Sequence, residues 1–172
     1  LSASASASLR PVMSAKSAPH GQILIGDDVR VIAYKMCQDL EDAGYEVESA
    51  HDGEECLRKA RALRPDLLLL DIMMPKLHGI EVLRAARKAS ARTPVVMITA
   101  HASVGGAVEA MKEGAYDYIG KPFEMEEVIQ TVARALETGS LREEVARARE
   151  DAGFVERVGT PENMEAVMAF FE

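Results

Sequence analysis

One segment decides the fold of this chain: Pro65-Asp66-Leu67-Leu68-Leu69-Leu70-Asp71-Ile72-Met73-Met74-Pro75. Four leucines follow one another without a polar interruption and end at one carboxylate, that of Asp71. A short apolar run between two prolines is typical of a strand buried on both faces of a parallel sheet. Open α/β sheets bind ligands at the carboxyl ends of their strands, so we expect Asp71 to face such a crevice.

Predicted strands and helices alternate along the rest of the chain. Strands are predicted at 22–26, 45–50, 67–71, 93–99 and 116–119, and helices at 29–40, 52–63, 79–86, 104–111 and 128–136. This alternation favours parallel pairing with right-handed crossovers. The predicted fold class is α/β, a doubly wound, flavodoxin-like five-stranded parallel sheet with five helices and a C-terminal helical extension. We expect the strand order 2-1-3-4-5, which is common in this class.

Short signals predict details within these elements. Gly44 follows the first helix, where a left-handed residue is favoured. Asp52 and Glu55 predict a capping box at the start of the second helix. Gly105 and Gly106 each weaken the fourth helix by roughly 1 kcal/mol relative to alanine, so they either mark an element that moves or are neutral.

Composition argues against several classes of protein. The 172 residues, 48% of them hydrophobic, suffice for one ordinary domain with appendages. A net charge of −8 argues against a nucleic-acid-binding surface. No apolar run approaches the roughly 18 residues of a membrane span. Cys37 and Cys56 fit helical patterns as reduced core thiols, so we expect a cytoplasmic protein.

The N-terminal segment differs from the rest of the chain. Residues 1–20 are rich in Ser and Ala and lack the apolar core of a signal peptide, so we expect disorder there. The chain starts with leucine, and Met13 stands shortly before the first strand. We therefore expect residues 1–12 either to precede the native start or to be foreign to the natural protein.

Functional side chains fall at the carboxyl ends of four predicted strands. Asp27 and Asp28 follow the first strand, Asp71 ends the third, Thr99 ends the fourth and Lys121 follows the fifth. Taken singly, each residue has a simpler explanation, such as a helix cap for Asp28 or a solvated lysine. Strands lie about 4.8 Å apart, so the carboxylates would raise one another's pKa unless a cation joins them. Mg²⁺, a hard ion with oxygen ligands, fits this set.

Taken together, these residues predict phosphoryl transfer. Asp71 would attack a phosphoryl group in line, with the metal ion screening the repulsion between the two anions. Lys121 would bring a compact positive charge to the equatorial oxygens. The Thr99 hydroxyl would donate a hydrogen bond to another of these oxygens.

These residues lie in segments that resemble the receiver domain of two-component response regulators, over about residues 21–137. The resemblance rests on Ile23-Leu24-Ile25-Gly26-Asp27-Asp28, Leu69-Leu70-Asp71-Ile72-Met73-Met74-Pro75-Lys76-Leu77-His78-Gly79, Val96-Met97-Ile98-Thr99-Ala100-His101 and Gly114-Ala115-Tyr116-Asp117-Tyr118-Ile119-Gly120-Lys121-Pro122-Phe123. It implies that a sensor histidine kinase phosphorylates Asp71, and that the domain catalyses only its own phosphoryl transfer and dephosphorylation.

The resemblance also implies roles for individual residues. Mg²⁺ would be bound by Asp28, Asp71 and the Met73 carbonyl, with Asp27 assisting through water. Thr99 and Tyr118 would form a coupled switch pair. Lys121-Pro122 would carry a cis peptide bond.

Two positions depart from the family's pattern. Gly26 stands where a branched apolar residue is usual, and Val29 stands where a third acid is usual. We expect Gly26 to loosen the strand end and the metal site to be competent but weaker. Met73 and His101 are expected to tune the lifetime of the phosphorylated state.

The tail changes in composition. Residues 138–153 are predicted as a helical linker, with apolar residues at 141, 145, 148 and 152 in heptad-like spacing. This linker is either an exposed helix or a short coiled coil that joins two copies, and the second reading predicts a homodimer through 125–152. Residues 154–172 resemble the truncated start of the AAA+ ATPase module of NtrC-like, sigma-54-class activators, which control transcription. No phosphate-binding Gly-x-x-x-x-Gly-Lys loop follows, and no helix-turn-helix is visible.

Three other functions fit an α/β sheet of this kind. A haloacid-dehalogenase-type phosphatase needs a second aspartate two residues after Asp71, where this chain has Met73. A flavodoxin-like cofactor binder needs a Ser/Thr/Gly-rich phosphate loop, which the predicted loops lack. A receiver that acts alone as a protein-interaction module stays open.

Overall fold

The computed structural model describes residues 20–100 and 102–158, and in them five strands alternate with five helices. The strands are β1 (Gln22–Gly26), β2 (Glu46–Ala50), β3 (Leu67–Asp71), β4 (Val95–Thr99) and β5 (Asp117–Gly120). The helices are α1 (Arg30–Asp42), α2 (Gly53–Leu63), α3 (Gly79–Ala89), α4 (Val104–Lys112) and α5 (Met125–Val158). The expectations for residues 1–19, for His101 and for 159–172 lie outside the described residues.

The five strands form one parallel sheet in the order β2-β1-β3-β4-β5, which confirms the predicted fold class. All five residues of β3 are buried. Leu67 and Leu69 pack in the core beside α1 and α5, whereas Leu68 and Leu70 pack in the core beside α2 and α3. The uninterrupted leucine run follows from this arrangement, because successive side chains of a strand point to opposite faces and both faces are covered.

The helix termini agree with the sequence at Gly44 and Asp52 and differ from it at Glu55 and Asp28. Gly44 has a φ of 101°, as expected after the first helix. The Asp52 side chain accepts a hydrogen bond from the Glu55 N–H, at 2.8 Å. The predicted return bond is wrong, because the Glu55 carboxylate accepts instead from the N–H of His51, at 2.9 Å. The cap of α1 is Val29, so Asp28 does not take that place.

Helix α5 is much longer than the others, with 34 residues. Its first part is anchored in the core through Val128, Val132 and Ala135. Farther along, Leu141 is 55% exposed and Val145 is 50% exposed. The helix passes from the predicted domain into the predicted linker without interruption. Within the described residues, no helix combines the length and the apolar character that a membrane crossing needs.

Candidate functional site

The parallel register brings the predicted site residues to one edge of the sheet. Gly26 pairs with Leu70, so Asp27 and Asp71, the residues that follow them, leave neighbouring strands at the same level. Thr99 ends β4 opposite Gly120 of β5, and Lys121 follows directly. The carboxyl ends of four strands therefore bring these residues to one edge of the sheet, as the sequence predicts.

Three carboxylates meet in this crevice. One carboxylate oxygen from each of Asp27, Asp28 and Asp71 lies within 4.8 Å of the other two. Asp27 and Asp71 are buried, at 1% and 6% exposure, whereas Asp28 is exposed. Backbone N–H groups hold the two buried acids: Val29 donates to Asp27 at 2.9 Å, and Met73 donates to Asp71 at 3.1 Å.

Lys121 bridges the two buried acids. Its Nζ donates to Oδ2 of Asp27 at 2.8 Å and to Oδ2 of Asp71 at 2.9 Å. Burial by itself would lower the pKa of the Lys121 ammonium, but its hydrogen bonds to the two acids outweigh that effect and raise the pKa. Lys121 therefore stays protonated and keeps a fixed positive charge between the acids.

Burial makes the ionised form of Asp71 less favourable. Burial raises the pKa of Asp71, and the charge of Asp27 adds to the increase. Hydrogen bonds from Lys121 and from the Met73 N–H offset only part of it. The crevice contains one ammonium and three carboxylates, so its net charge is negative when all three acids are ionised.

This donor set fits a hard divalent cation. Carboxylate oxygens from two adjacent loops converge, excess negative charge remains and one of the acids faces solvent. Such a cation keeps several water or substrate positions when it binds to only a few protein oxygens. The residues that would hold it are Asp27, Asp28 and Asp71, beside the backbone of Met73.

The expected switch residues lie on the two strands at one side of the sheet. Thr99 is buried at the end of β4, and Tyr118 lies on β5. The Tyr118 hydroxyl reaches α4, since a Cβ on Gly106 would lie 3.3 Å from it. The Lys121-Pro122 bond is cis, as predicted. The coupling between Thr99 and Tyr118 stays a prediction.

Side chains from neighbouring segments pack closely around Gly26. A Cβ on Gly26 would lie 3.0 Å from Leu70 Cδ2, 3.1 Å from Cys56 Sγ and 3.2 Å from Met74 Sδ. Neighbouring side chains therefore fill the space of the missing one. Gly26 also keeps its register with β2 and β3, and the effect of Gly26 on the strand end stays a prediction.

Two contacts of the turn between β2 and α2 were not predicted from the sequence. His51 Nδ1 lies 3.1 Å from the backbone oxygen of Asp27, and the Gly53 N–H donates to the Pro75 oxygen at 3.1 Å. The only sequence signal in this turn is the Asp52–Glu55 spacing, which predicts a helix cap. Its nearness to the acids depends on how α2 crosses the sheet, which sequence spacing does not reveal.

Fold and site together define a class: a doubly wound parallel sheet with an acidic, lysine-bridged crevice at its carboxyl edge. Residues 23–133 match the response regulator receiver domain. The regulatory protein AtoC of Escherichia coli is 38% identical over 124 residues, which are 72% of this chain and 27% of AtoC. The nitrogen assimilation regulatory protein NtrX of Azorhizobium caulinodans is 40% identical over 130 residues, which are 74% of this chain and 29% of NtrX.

Solved structures agree with this result. The crystal structure of a CheY-like receiver domain protein from Methanospirillum hungatei matches with a TM-score of 0.68 and 33% identity, over 70% of this chain and 97% of that one. This chain belongs to the family of response regulator receiver domains. It spans less than a third of the length of AtoC and of NtrX.

Proposed function

We propose that this chain is a phosphoaspartate receiver switch in which Asp71 accepts a phosphoryl group from a sensor histidine kinase. One observation carries the proposal: the buried Asp71 carboxylate lies 2.9 Å from Lys121 and within 4.8 Å of two further acids. A structural ion pair does not need a third acid, Asp28, beside the two that Lys121 bridges. A nucleophile that must approach an anionic phosphoryl group needs cations on both sides of it.

The proposed reaction is an in-line displacement. An oxygen of Asp71 forms a bond to phosphorus while the bond between phosphorus and the kinase histidine nitrogen breaks, and the imidazole leaves with that electron pair. Mg²⁺, when bound, would screen the negative charges of the nucleophile and the phosphoryl group. Lys121 already touches Asp71 and stays protonated, so it neutralises charge on the incoming oxygens. The Thr99 hydroxyl donates to one of these oxygens.

The same event explains the proposed switch. A phosphoryl group adds a charge of about −1.5 to −2 beside the end of β4. Movement of Thr99 towards it frees space that the Tyr118 ring enters, and the Tyr118 hydroxyl leaves its place beside Gly106. The surface formed by α4 and β5 changes as a result.

Exposed apolar side chains beside the acids support a kinase as the partner. Val29 is 44% exposed and Met73 is 49% exposed, and both belong to loops that carry the acids. On α1, Val31 is 78% exposed and Tyr34 is 65% exposed. An apolar rim around a charged crevice suits a partner that excludes water while its phosphohistidine enters. We propose that these residues contact the kinase.

The exposed part of α5 supports a homodimer. Leu141 and Val145 are half exposed four residues apart, and Arg147 and Glu143 form an ion pair on the same helix, at 3.5 Å. We propose that this stripe of 125–152 pairs with a second copy as a short coiled coil. Residues 154–172 would then begin an AAA+ module of an NtrC-like, sigma-54-class activator in the cytoplasm, so that the switch controls transcription.

One labelling experiment tests the proposed function. The protein is incubated with acetyl phosphate and Mg²⁺, and its intact mass is measured. We expect one phosphoryl adduct that is stable in acid, labile in base and absent from Asp71→Asn. Continuous release of phosphate without an adduct would indicate the haloacid-dehalogenase-type phosphatase. Unchanged labelling of Asp71→Asn would overturn the proposal.

A further inference from the structure

We propose that the turn between β2 and α2, residues 50–53, positions both acid-bearing loops of the site, and that His51 is its main positioning residue. The inference rests on the proposed function and adds an element whose own acid, Asp52, caps α2 and does not belong to the acid cluster. We call this segment, from the last residue of β2 to the first residue of α2, the β2–α2 turn. Two sets of contacts carry the inference, one to the loop after β1 and one to the loop after β3.

The β2–α2 turn holds the backbone of Asp27 on both sides. The Asp27 N–H donates to the Ala50 oxygen at 3.0 Å, and the Asp27 carbonyl lies 3.1 Å from His51 Nδ1. A carbonyl oxygen only accepts, so Nδ1 carries the hydrogen in this contact. The Asp27 carboxylate is held separately by Val29 and Lys121. His51 therefore fixes the peptide that joins Asp27 to Asp28.

His51 is itself fixed by α2. Its backbone N–H donates to Oε2 of Glu55 at 2.9 Å, and Oε1 of Glu55 lies 3.2 Å from Lys59. The hydrogen bond from His51 is the main cause that lowers the pKa of Glu55, and Lys59 adds to the decrease. Glu55 therefore stays ionised at neutral pH and links the position of His51 to the first turn of the helix.

The other end of the turn contacts the loop after β3. The Gly53 N–H donates to the Pro75 oxygen at 3.1 Å. A Cβ on Gly53 would lie 2.3 Å from the Leu77 backbone oxygen, so only glycine allows this approach. Met73 belongs to the same loop, which directly follows Asp71 at the end of β3. One helix end thus touches both the loop that carries Asp27 and Asp28 and the loop that follows Asp71.

The register of β1 and β3 places Asp27 beside Asp71, and the contacts of the β2–α2 turn hold the backbone around them in that arrangement. Metal and phosphoryl sites require their ligands within about 0.5 Å of the productive geometry. His51 has no contact with the acid side chains among its described hydrogen bonds, so it acts through the backbone of Asp27. Loss of an outer partner of this kind costs about tenfold in metal affinity. We expect that loss when the imidazole is removed.

The test compares three variants of the whole chain. His51→Leu removes the donor, whereas His51→Asn keeps an amide nitrogen at the place of Nδ1. His20→Leu is the matched control, because His20 packs edge-on against Tyr45 before β1, at the opposite end of the strands. Mg²⁺ affinity is measured by titration calorimetry without phosphate, and the labelling rate by acetyl phosphate is measured against Mg²⁺ concentration.

We expect His51→Leu to bind Mg²⁺ about tenfold more weakly. Its labelling rate should approach that of the wild type once Mg²⁺ is saturating. His51→Asn should recover most of this loss because it keeps a donor, and His20→Leu should match the wild type. Equal Mg²⁺ affinity of His51→Leu and the wild type would overturn the inference, as would an Asn variant no better than the Leu variant.

The outcomes separate this inference from the proposed function. A wild-type chain that takes up no label contradicts the proposed function, whatever His51 does. If the wild type is labelled normally and the His51 variants bind Mg²⁺ as the wild type does, only the positioning role of His51 is contradicted. If His51→Leu loses its fold by circular dichroism, Glu55→Ala replaces it, since that change frees the His51 N–H while the Asp52 cap remains. We expect a shift of Mg²⁺ affinity in the same direction, and no shift would overturn the inference.

Discussion

The Lys121 ammonium lies 2.9 Å from the Asp71 carboxylate, and the two groups come from opposite sides of β4 in the sheet. The same ammonium holds Asp27 at 2.8 Å. The lysine side chain is 11% exposed and the two acid side chains are 1% and 7% exposed, so little water screens these contacts. Lys121 therefore has two roles, because it stabilises the resting site and supplies charge for the reaction.

Replacement of Lys121 tests the structural role. Lys121→Met leaves two buried acids without their cation, and breaking a buried pair in this way costs about 3 kcal/mol. We expect a loss of that size in the free energy of unfolding at pH 7, measured by urea denaturation without Mg²⁺. The loss should shrink as the pH falls, because burial raises the pKa of Asp71 and its protonated carboxyl group needs no counter-charge. Lys35→Met, which removes an exposed pair with Asp39, should change stability by less than about 1 kcal/mol.

The sheet and its acidic edge could be predicted from the sequence because both follow from local patterns. The run from Leu67 to Leu70 indicates burial on two faces, and Asp71 indicates where the strand ends. The contacts of His51 and Gly53 could not be predicted, because they depend on how α2 packs across neighbouring strands. The same holds for Gly26, whose missing side chain is replaced by atoms from three other segments.

Replacement of Asp71 tests the effect of burial on its pKa. Burial raises the pKa of Asp71, so its carboxyl group favours the folded state below its unfolded pKa of about 3.9, and this advantage is lost as pH rises through the higher folded value. Asp71→Asn cannot ionise. We therefore expect a higher Tm than the wild type at pH 7 without Mg²⁺, and nearly equal values near pH 3. Equal Tm values at pH 7 would contradict the pKa increase.

The exposed stripe of α5 provides a test of the dimer. Leu141→Lys combined with Val145→Lys places charges on two half-exposed positions that make no contribution to the buried core. We expect the dimer dissociation constant to rise by at least about tenfold, since two apolar contacts are lost in each copy. Sedimentation velocity measures it, with Glu144→Lys as a control on the same helix. A wild-type chain that stays monomeric at high concentration would contradict the coiled-coil proposal.

Gly105 and Gly106 offer a matched pair for testing α4. A Cβ on Gly105 meets nothing within 4 Å, so Gly105→Ala should stabilise the chain by about 1 kcal/mol through helix propensity alone. A Cβ on Gly106 would lie 3.0 Å from the Ser103 hydroxyl, which caps the helix, and 3.3 Å from the Tyr118 hydroxyl. We therefore expect a smaller gain or a loss for Gly106→Ala in urea denaturation. Hydrogen exchange in α4 should slow for Gly105→Ala, and equal effects of the two substitutions would contradict the contact between Tyr118 and α4.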